Sequence, residues 1–299
     1  AMKQKVATIV GSNGQDGKLI ASFFKKKNYK IIKISKENFD ITSRSSVENF
    51  IKTKKPNEIY FLAAYHHSAE NRVNINVELN YKINYFSLIY FLEAIKNFSA
   101  KSRLFFASSS FIFKPSKNKQ TEKTLFQPNC HYSMAKVFSM KLCDFYRQNY
   151  KIFVSCGILY NHESLLRDNH FLSKKIILHA INNFKNSKKK LILNNINYKI
   201  DWGYALDYVD AMIKILNHKI PDDFIVSTGK LHSVKDFVLE VYNYLNLDYR
   251  DFVVTKDNSK INNFRLGDSS KLKKACDWKP SITFKQMIAS LVQNQLESH

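Results

Sequence analysis

Three side chains near the middle of the chain have the types and spacing needed for proton transfer. Ser109 stands at the end of a predicted strand, and Tyr132 and Lys136 lie four residues apart in a predicted helix. Residues i and i+4 share one helical face, so the ammonium group can lower the pKa of the phenol by roughly 1 to 3 units. Tyr132 can then exchange a proton with a substrate hydroxyl while a hydride passes to or from a nicotinamide. We therefore expect all three residues to be catalytic.

A glycine loop near the N-terminus predicts the dinucleotide site that this chemistry requires. The apolar strand 6–10 runs into Gly11, Gly14 and Gly17, and an apolar-periodic helix follows. This order places bare backbone amides and a helix N-terminus at one point, where they attract a diphosphate. The loop residues that we expect to contact the cofactor are Gly11, Asn13, Gly14, Gln15, Asp16 and Gly17.

The end of the second predicted strand, 29–35, indicates which dinucleotide binds. A carboxylate at this point would hold the ribose 2'-hydroxyl of NAD. The chain instead has Ser35 and Lys36, with Glu37 one residue later and Arg44 further on. We expect Ser35, Lys36 and Arg44 to contact the cofactor, which favours NADP(H), with NAD(H) as the second choice.

Strands and helices alternate through the first half of the chain, which predicts an α/β fold with a doubly wound parallel sheet. The predicted strands are 6–10, 29–35, 56–63, 103–108 and 152–158, and the predicted helices include 77–97 and one that begins near residue 132. Ser109 then lies at the carboxyl edge of the sheet, where open α/β sheets bind their ligands.

Composition narrows the class of protein. The net charge of +22 suggests nucleic acid, but the lysine clusters at 25–27 and 188–190 are short, and solvated charge explains them better. The four cysteines and nine histidines show no zinc spacing, so we expect no metal. The chain has neither a signal-peptide pattern nor an apolar run of membrane-spanning length. We expect a cytoplasmic protein without nucleic-acid or membrane partners.

The chain resembles the extended short-chain dehydrogenase/reductases that act on nucleotide sugars. The residues that carry this resemblance are the glycine loop, Asp40, Leu62, Ala63, Ala64, Asn84, Ser109, Tyr132 and Lys136. More narrowly, the chain resembles the GDP-mannose 4,6-dehydratases at 160–164 with Arg167, at 201–212, at 232–234 and at 278–280. The helix at 132–144 is also similar to that of GDP-fucose synthase.

The resemblance implies an organisation and further site residues. It implies a Rossmann-type NAD(P)-binding domain of residues 1–158 plus about 205–226, and a smaller α/β substrate domain of residues 159–204 and 227–299. It implies a nucleotide-diphosphate sugar as substrate and a homo-oligomer, either a dimer or a tetramer. The residues implied for the cofactor are Asp40, Ile41, Leu62, Ala63 and Ala64, and those implied for the substrate are Asn161, Glu163 and Arg167.

One position departs from the dehydratase pattern and leaves three functions open. The pattern has a glutamate two residues after the hydroxyl residue of the fourth strand, where this chain has Phe111, and a phenyl ring transfers no protons. The first expectation is therefore NADP-dependent redox chemistry at sugar C4 with Tyr132 as acid/base, most simply the reduction of a 4-keto GDP-sugar. The alternative is a 4,6-dehydratase-type lyase acting on a GDP-hexose or heptose, with its further acid/base group supplied by Glu70 or Glu122. The third is a non-catalytic cofactor-binding protein.

Overall fold

The computed structural model describes residues 4–66 and 75–298, and a parallel six-stranded sheet lies at its centre. Strands and helices are numbered in chain order. The strands of this sheet are β1 (Lys5–Val10), β2 (Tyr29–Ile34), β3 (Glu58–Phe61), β4 (Arg103–Ser109), β5 (Phe153–Leu159) and β10 (Asp223–Val226). Their order across the sheet is β10-β5-β4-β3-β1-β2, and every neighbouring pair is parallel.

Two groups of helices cover the sheet. The first group contains α1 (Gln15–Lys25) and α7 (Ala205–Asn217), which pack on each other, with α9 (Ser270–Cys276) against α7. The second group contains α2 (Arg44–Lys54), α3 (Val77–Tyr81), α4 (Ser87–Phe98) and α5 (His131–Tyr150). Helices in two layers around a parallel sheet confirm the predicted doubly wound fold.

The helix predicted at 77–97 is continuous but not uniform. A π-helical stretch, Lys82–Phe86, joins α3 to α4. Single π-helical turns often occur at functional sites, and this one carries the fully buried Asn84. The apolar pattern predicted the helix but could not reveal the change in its hydrogen bonding.

After β5 the chain forms a smaller α/β region with three two-stranded pairings. Its strands are β6 (Asn161–Glu163) with β9 (Trp202–Tyr204), β7 (Leu191–Asn195) with β12 (Val253–Asp257), and β8 (Lys199–Ile200) with β11 (His232–Ser233). Its helices are α6 (Leu172–Phe184), α8 (Val234–Tyr244) and α10 (Phe284–Glu297). These helices enclose a second hydrophobic core around Trp202 and Phe237, separate from the core of the main sheet. The predicted division into an NAD(P)-binding domain and a substrate domain stays a prediction.

Candidate active site

The glycine loop between β1 and α1 is held by close backbone contacts. Gly11 has a φ of +93°, and a Cβ added to it would lie 2.7 Å from the Ala63 nitrogen. A Cβ on Gly17 would lie 2.4 Å from the Gly11 carbonyl oxygen. Only glycine fits these two positions without a shift of the backbone. Gly14 is the N-cap of α1 and offers no side-chain cap, so the first amides of the helix are open to an anion.

Gln15 and Asp16 tie the first turn of α1 to the segment around β6. The Gln15 amide donates to the His162 carbonyl at 3.2 Å and accepts from the Ser164 hydroxyl at 2.7 Å. The Asp16 carboxylate lies 2.8 Å from Nε2 of His162. Burial raises the pKa of Asp16, but the nearby His162 outweighs it, so the pKa falls below its usual value while that of His162 rises. Asp16 and His162 both line one cavity, which is described below, and their contact joins α1 to β6.

The residues predicted to select the cofactor do not lie together. Lys36 and Glu37 are exposed after β2, and Asn13 of the glycine loop donates to the Glu37 carboxylate at 2.8 Å. The Ser35 side chain hydrogen-bonds the same carboxylate and lowers its pKa. Arg44 instead pairs with Glu48 on α2 at 2.8 Å and does not line the described cavities. A carboxylate therefore does lie beside the glycine loop, one residue beyond Lys36.

The other predicted cofactor residues follow β2 and β3. The exposed Asp40 accepts from the backbone and hydroxyl of Thr42, and Ile41 packs on the main core. Leu62 donates its N–H to the Val10 carbonyl at 2.8 Å. Leu62 and Ala64 line the cavity, while Ala63 lies against Gly11.

The three predicted catalytic residues meet at the carboxyl end of β4. Ser109 is the last residue of β4, and Tyr132 and Lys136 lie in the first two turns of α5. The Lys136 ammonium lies 5.6 Å from the centre of the Tyr132 ring and donates to the Ala107 carbonyl at 2.8 Å. Ser109, Tyr132 and Lys136 all line one cavity of about 790 Å³, and the glycine loop lines the same cavity. The structure thus brings a proton carrier and a dinucleotide cradle into one space.

The predicted effect of Lys136 on the Tyr132 phenol is wrong in this structure. Burial raises the pKa of Tyr132 to about 12, and the hydrogen bond with Ser109 opposes that shift only in part. Burial also lowers the pKa of Lys136 to about 7. An ammonium that is itself desolvated is only partly charged at neutral pH, so it gives the phenolate little support.

The predicted substrate residues divide into two that line the cavity and one that supports it. Asn161 and Arg167 line it, and Asn161 also lines a neighbouring cavity of about 650 Å³. The buried Glu163 lies behind them, where its carboxylate pairs with Arg167 at 3.1 Å and accepts from Ser173 at 2.6 Å. Glu163 is thus placed to position Arg167.

Several residues at the end of the cavity around Tyr132 were not anticipated from the sequence. The His66 ring contacts the Tyr132 ring edge-on, with centroids 4.8 Å apart, and stacks on Phe171 at 6.0 Å. The Arg167 guanidinium lies 3.7 Å from the centre of the Phe171 ring. Arg265, from the C-terminal part of the chain, lies 4.5 Å from the centre of the Phe111 ring. His66, Phe171 and Arg265 come from three separate segments, so no single motif joins them.

Phe111 lies at this end of the cavity, and Glu122, one of the two predicted substitute carboxylates, does not. Phe111 lines both cavities. Glu122 lies elsewhere: it accepts from the Ile225 backbone at 2.9 Å, and burial raises its pKa. Glu70 lies outside the described residues. Among the residues that the structure describes, no group of three or more His, Cys, Asp or Glu side chains could hold a metal ion.

The sequence matches known proteins over nearly its whole length. A sequence profile described as GDP-mannose 4,6 dehydratase matches residues 33–291. GDP-mannose 4,6 dehydratase 2 of Arabidopsis thaliana is 30% identical over 98% of this chain and 87% of its own length.

Solved structures share the fold at lower identity. RMD from Pseudomonas aeruginosa, complexed with NADPH, superposes with a TM-score of 0.86 at 16% identity and covers 99% of both chains. The dTDP-glucose 4,6-dehydratase of Bacillus anthracis, in complex with NAD, gives 0.83 at 18% identity over 99% of this chain and 97% of its own. Separately, none of the helices within 4–66 and 75–298 has the length and apolar composition to cross a bilayer.

Proposed function

The chain belongs to the GDP-mannose 4,6-dehydratase family, and we propose from this premise that it transfers a hydride at C4 of a nucleotide-diphosphate sugar, with Tyr132 as the proton carrier. The observation that carries the proposal is the meeting of Ser109, Tyr132 and Lys136 with the glycine loop in one cavity. The resemblance noted in the sequence is confirmed at the level of the family.

The residues present fit a dinucleotide. The positive φ of Gly11, the close contact at Gly17 and the uncapped N-terminus of α1 form a cradle for a diphosphate. We propose NADP(H) as the preferred cofactor, on the grounds of Ser35 and Lys36. NAD(H) is the second choice, supported by the Glu37 carboxylate beside the loop.

Each catalytic side chain has a distinct task in the proposed reaction. When bound, a nicotinamide supplies the hydride acceptor and a positive charge in the cavity. Tyr132 takes the proton of the C4 hydroxyl as the phenolate, which the hydrogen bond from Ser109 and the positive charge of a bound nicotinamide would favour. Lys136, anchored to the Ala107 carbonyl, gains charge whenever negative charge develops on Tyr132.

C4 oxidation is the first half of a 4,6-dehydration, and we propose dehydration of a GDP-hexose as the overall reaction. The names of the relatives favour it over the reduction that the sequence analysis placed first. Reduction of a 4-keto nucleotide sugar remains the second candidate, because Phe111 replaces the expected acid. The relatives give no support to a non-catalytic cofactor-binding protein.

Cofactor stoichiometry separates the two reactions. The protein is incubated with NADP+ and GDP-mannose, and separately with NADPH and a 4-keto-6-deoxy GDP-sugar. Dehydration gives a product lighter by one water with no net change in the cofactor, since the hydride removed from C4 returns to the sugar. Reduction consumes one NADPH for each product molecule. Net NADPH consumption without loss of water would reject the dehydratase and leave the reductase.

We also propose that the protein is a homo-oligomer. Aromatic residues on the π-helical stretch and α5 remain exposed, namely Phe86, Phe138, Phe145 and Tyr150. Tyr85 contacts both Phe86 and Phe138, with ring centroids 5.4 and 5.8 Å apart, so part of this set forms one surface. Contiguous apolar surface of this kind is typical of an interface. Sedimentation of the purified protein gives the test, and a monomer at micromolar concentration would reject the proposal.

A further inference from the structure

We propose that His66 is a second catalytic acid/base, which removes the C5 proton of the sugar and protonates the departing C6 hydroxyl. This inference rests on the proposed dehydration. It assigns that step to a histidine that no sequence motif identifies.

The position of His66 suits this role. Its ring lies edge-on to the Tyr132 ring, with centroids 4.8 Å apart, and it lines both cavities. Tyr132 acts at the C4 oxygen, and carbon–carbon bonds are about 1.5 Å long. A group that acts at C5 and C6 must therefore lie next to Tyr132. The Phe111 ring, at 6.4 Å from the His66 ring, lies in the same neighbourhood but transfers no protons.

The fold holds His66 in this place from both sides. The side chain of the buried Asn84 accepts from the Tyr65 N–H and donates to the Tyr65 carbonyl, both at 3.0 Å. This pair of bonds fixes the backbone one residue before His66. On the other side Phe171 stacks on the His66 ring at an interplanar angle of 19°. The π-helical stretch that carries Asn84 thus gains a purpose, because it orients a side chain of the site.

The carboxylates near the cavity are already committed. Among the described residues that line the two cavities, Asp16 is the one carboxylate, and it pairs with His162. Glu163 is buried and pairs with Arg167 and Ser173. His131 lines the second cavity, but its ring lies against Tyr81. The His66 imidazole can both accept and donate a proton near neutral pH, which is the chemistry that this step needs.

The step balances without a further reactant. Once C4 is a ketone, the C5–H bond is acidified, and the neutral His66 imidazole takes the C5 proton. The C5–H electron pair forms the C5=C6 double bond as the C6–O bond breaks. The imidazolium gives its proton to the departing hydroxyl, which leaves as water, and His66 returns to its neutral form.

His66→Asn separates this step from C4 oxidation. Asparagine keeps polarity and approximate size but cannot act as an acid or base at neutral pH. With NADP+ and GDP-mannose we expect the dehydrated product to fall by at least ~10²-fold, the scale of a lost acid/base. C4 oxidation should persist, so reduced nicotinamide should accumulate to about one equivalent per site, and a 4-keto sugar that has lost two hydrogens but no water should be trapped. Solvent deuterium should no longer enter C5.

The control is His218→Asn. His218 is the residue after α7, and the side chain of Arg103, the first residue of β4, donates a hydrogen bond to its carbonyl oxygen. The catalytic residues lie at the other end of β4, so His218→Asn should leave C4 oxidation and dehydration unchanged.

Dehydration at the wild-type rate in a folded His66→Asn protein would overturn the inference alone, and so would equal loss of oxidation and dehydration. A wild-type protein that never releases water would overturn both this inference and the proposed dehydration. Phe111→Glu in the His66→Asn background should restore part of the water loss, and no recovery would count against the placement of C5 and C6.

Discussion

The two ends of the cavity are built in different ways. At the cofactor end, the glycine loop and the first turn of α1 supply backbone amides from one short stretch of chain. At the sugar end, His66, Phe111, Phe171 and Arg265 supply side chains from four distant segments. The cofactor end depends on local backbone geometry, and the sugar end depends on how the segments pack. Phe111, the position that departs from the dehydratase pattern, lies at the sugar end.

The charges of the two ends also differ. The cofactor end contains Asp16, paired with His162, and Glu37 beside Asn13. Arg265 and Lys199 line the second cavity, and no carboxylate lines it among the described residues. Arg265 is half-buried, and the loss of solvent around its guanidinium lowers its pKa. A cavity with this balance attracts an anionic substrate, which suits a nucleotide diphosphate.

The strongest test removes the group that both ends share. Tyr132→Phe takes away the phenol oxygen and almost no volume, so the fold and cofactor binding should persist. Turnover should fall by roughly 10²- to 10⁴-fold, the range for a lost general acid/base. Product formation and cofactor affinity are measured on the same preparation. Activity near that of the wild type would remove Tyr132 from the mechanism.

The next test breaks the cofactor end alone. Gly17→Ala puts a Cβ 2.4 Å from the Gly11 carbonyl, so the loop must shift. We expect a loss of about 1–3 kcal/mol in the free energy of unfolding, the usual scale of overpacking. Gly14→Ala is the matched control, since its Cβ would lie 3.5 Å from the same oxygen. Denaturant unfolding without cofactor should distinguish the two variants, and equal losses would contradict the geometry.

A smaller effect is expected at the cofactor-selecting residues. Lys36→Asp adds repulsion to a 2'-phosphate and removes an attraction, so NADP(H) should lose roughly tenfold in affinity relative to NAD(H), about the strength of one charged hydrogen bond. The exposed Lys30 on β2 gives the matched control, Lys30→Asp. Calorimetry with both cofactors makes the comparison. Tighter binding of NAD(H) by the unmutated protein would transfer the role to Glu37.

The smallest effect is expected at Glu122. Glu122→Gln keeps an oxygen that can accept from the Ile225 N–H and removes only the acid. Because Glu122 lies outside the cavities, dehydration should stay within about twofold of the wild-type rate, since removing a real acid/base costs ~10²-fold or more. The measurement is the initial rate of product formation. A loss on the larger scale would return Glu122 to the sugar end and weaken the assignment of His66.

Contiguous sequence signals determined the fold and the cofactor end. The alternating strands and helices predicted the parallel sheet, and the strand limits moved by only a few residues, as from 56–63 to Glu58–Phe61. The spacing of Tyr132 and Lys136 predicted that both would line one site. These features could be predicted because helix and strand periodicity depends on near neighbours in the chain.

Packing between distant segments decided the rest. The sequence could not show that Glu37 contacts Asn13 or that burial raises the pKa of Tyr132. It also could not bring His66 to Tyr132, since that contact requires Asn84 to hold the chain after β3. A pKa and a ring contact depend on the surroundings in three dimensions, and residues far apart in the chain supply those surroundings, as His66 and Tyr132 do for each other. The sequence therefore predicted a dinucleotide site beside Tyr132 and Lys136, and the tertiary structure decided which other side chains line it.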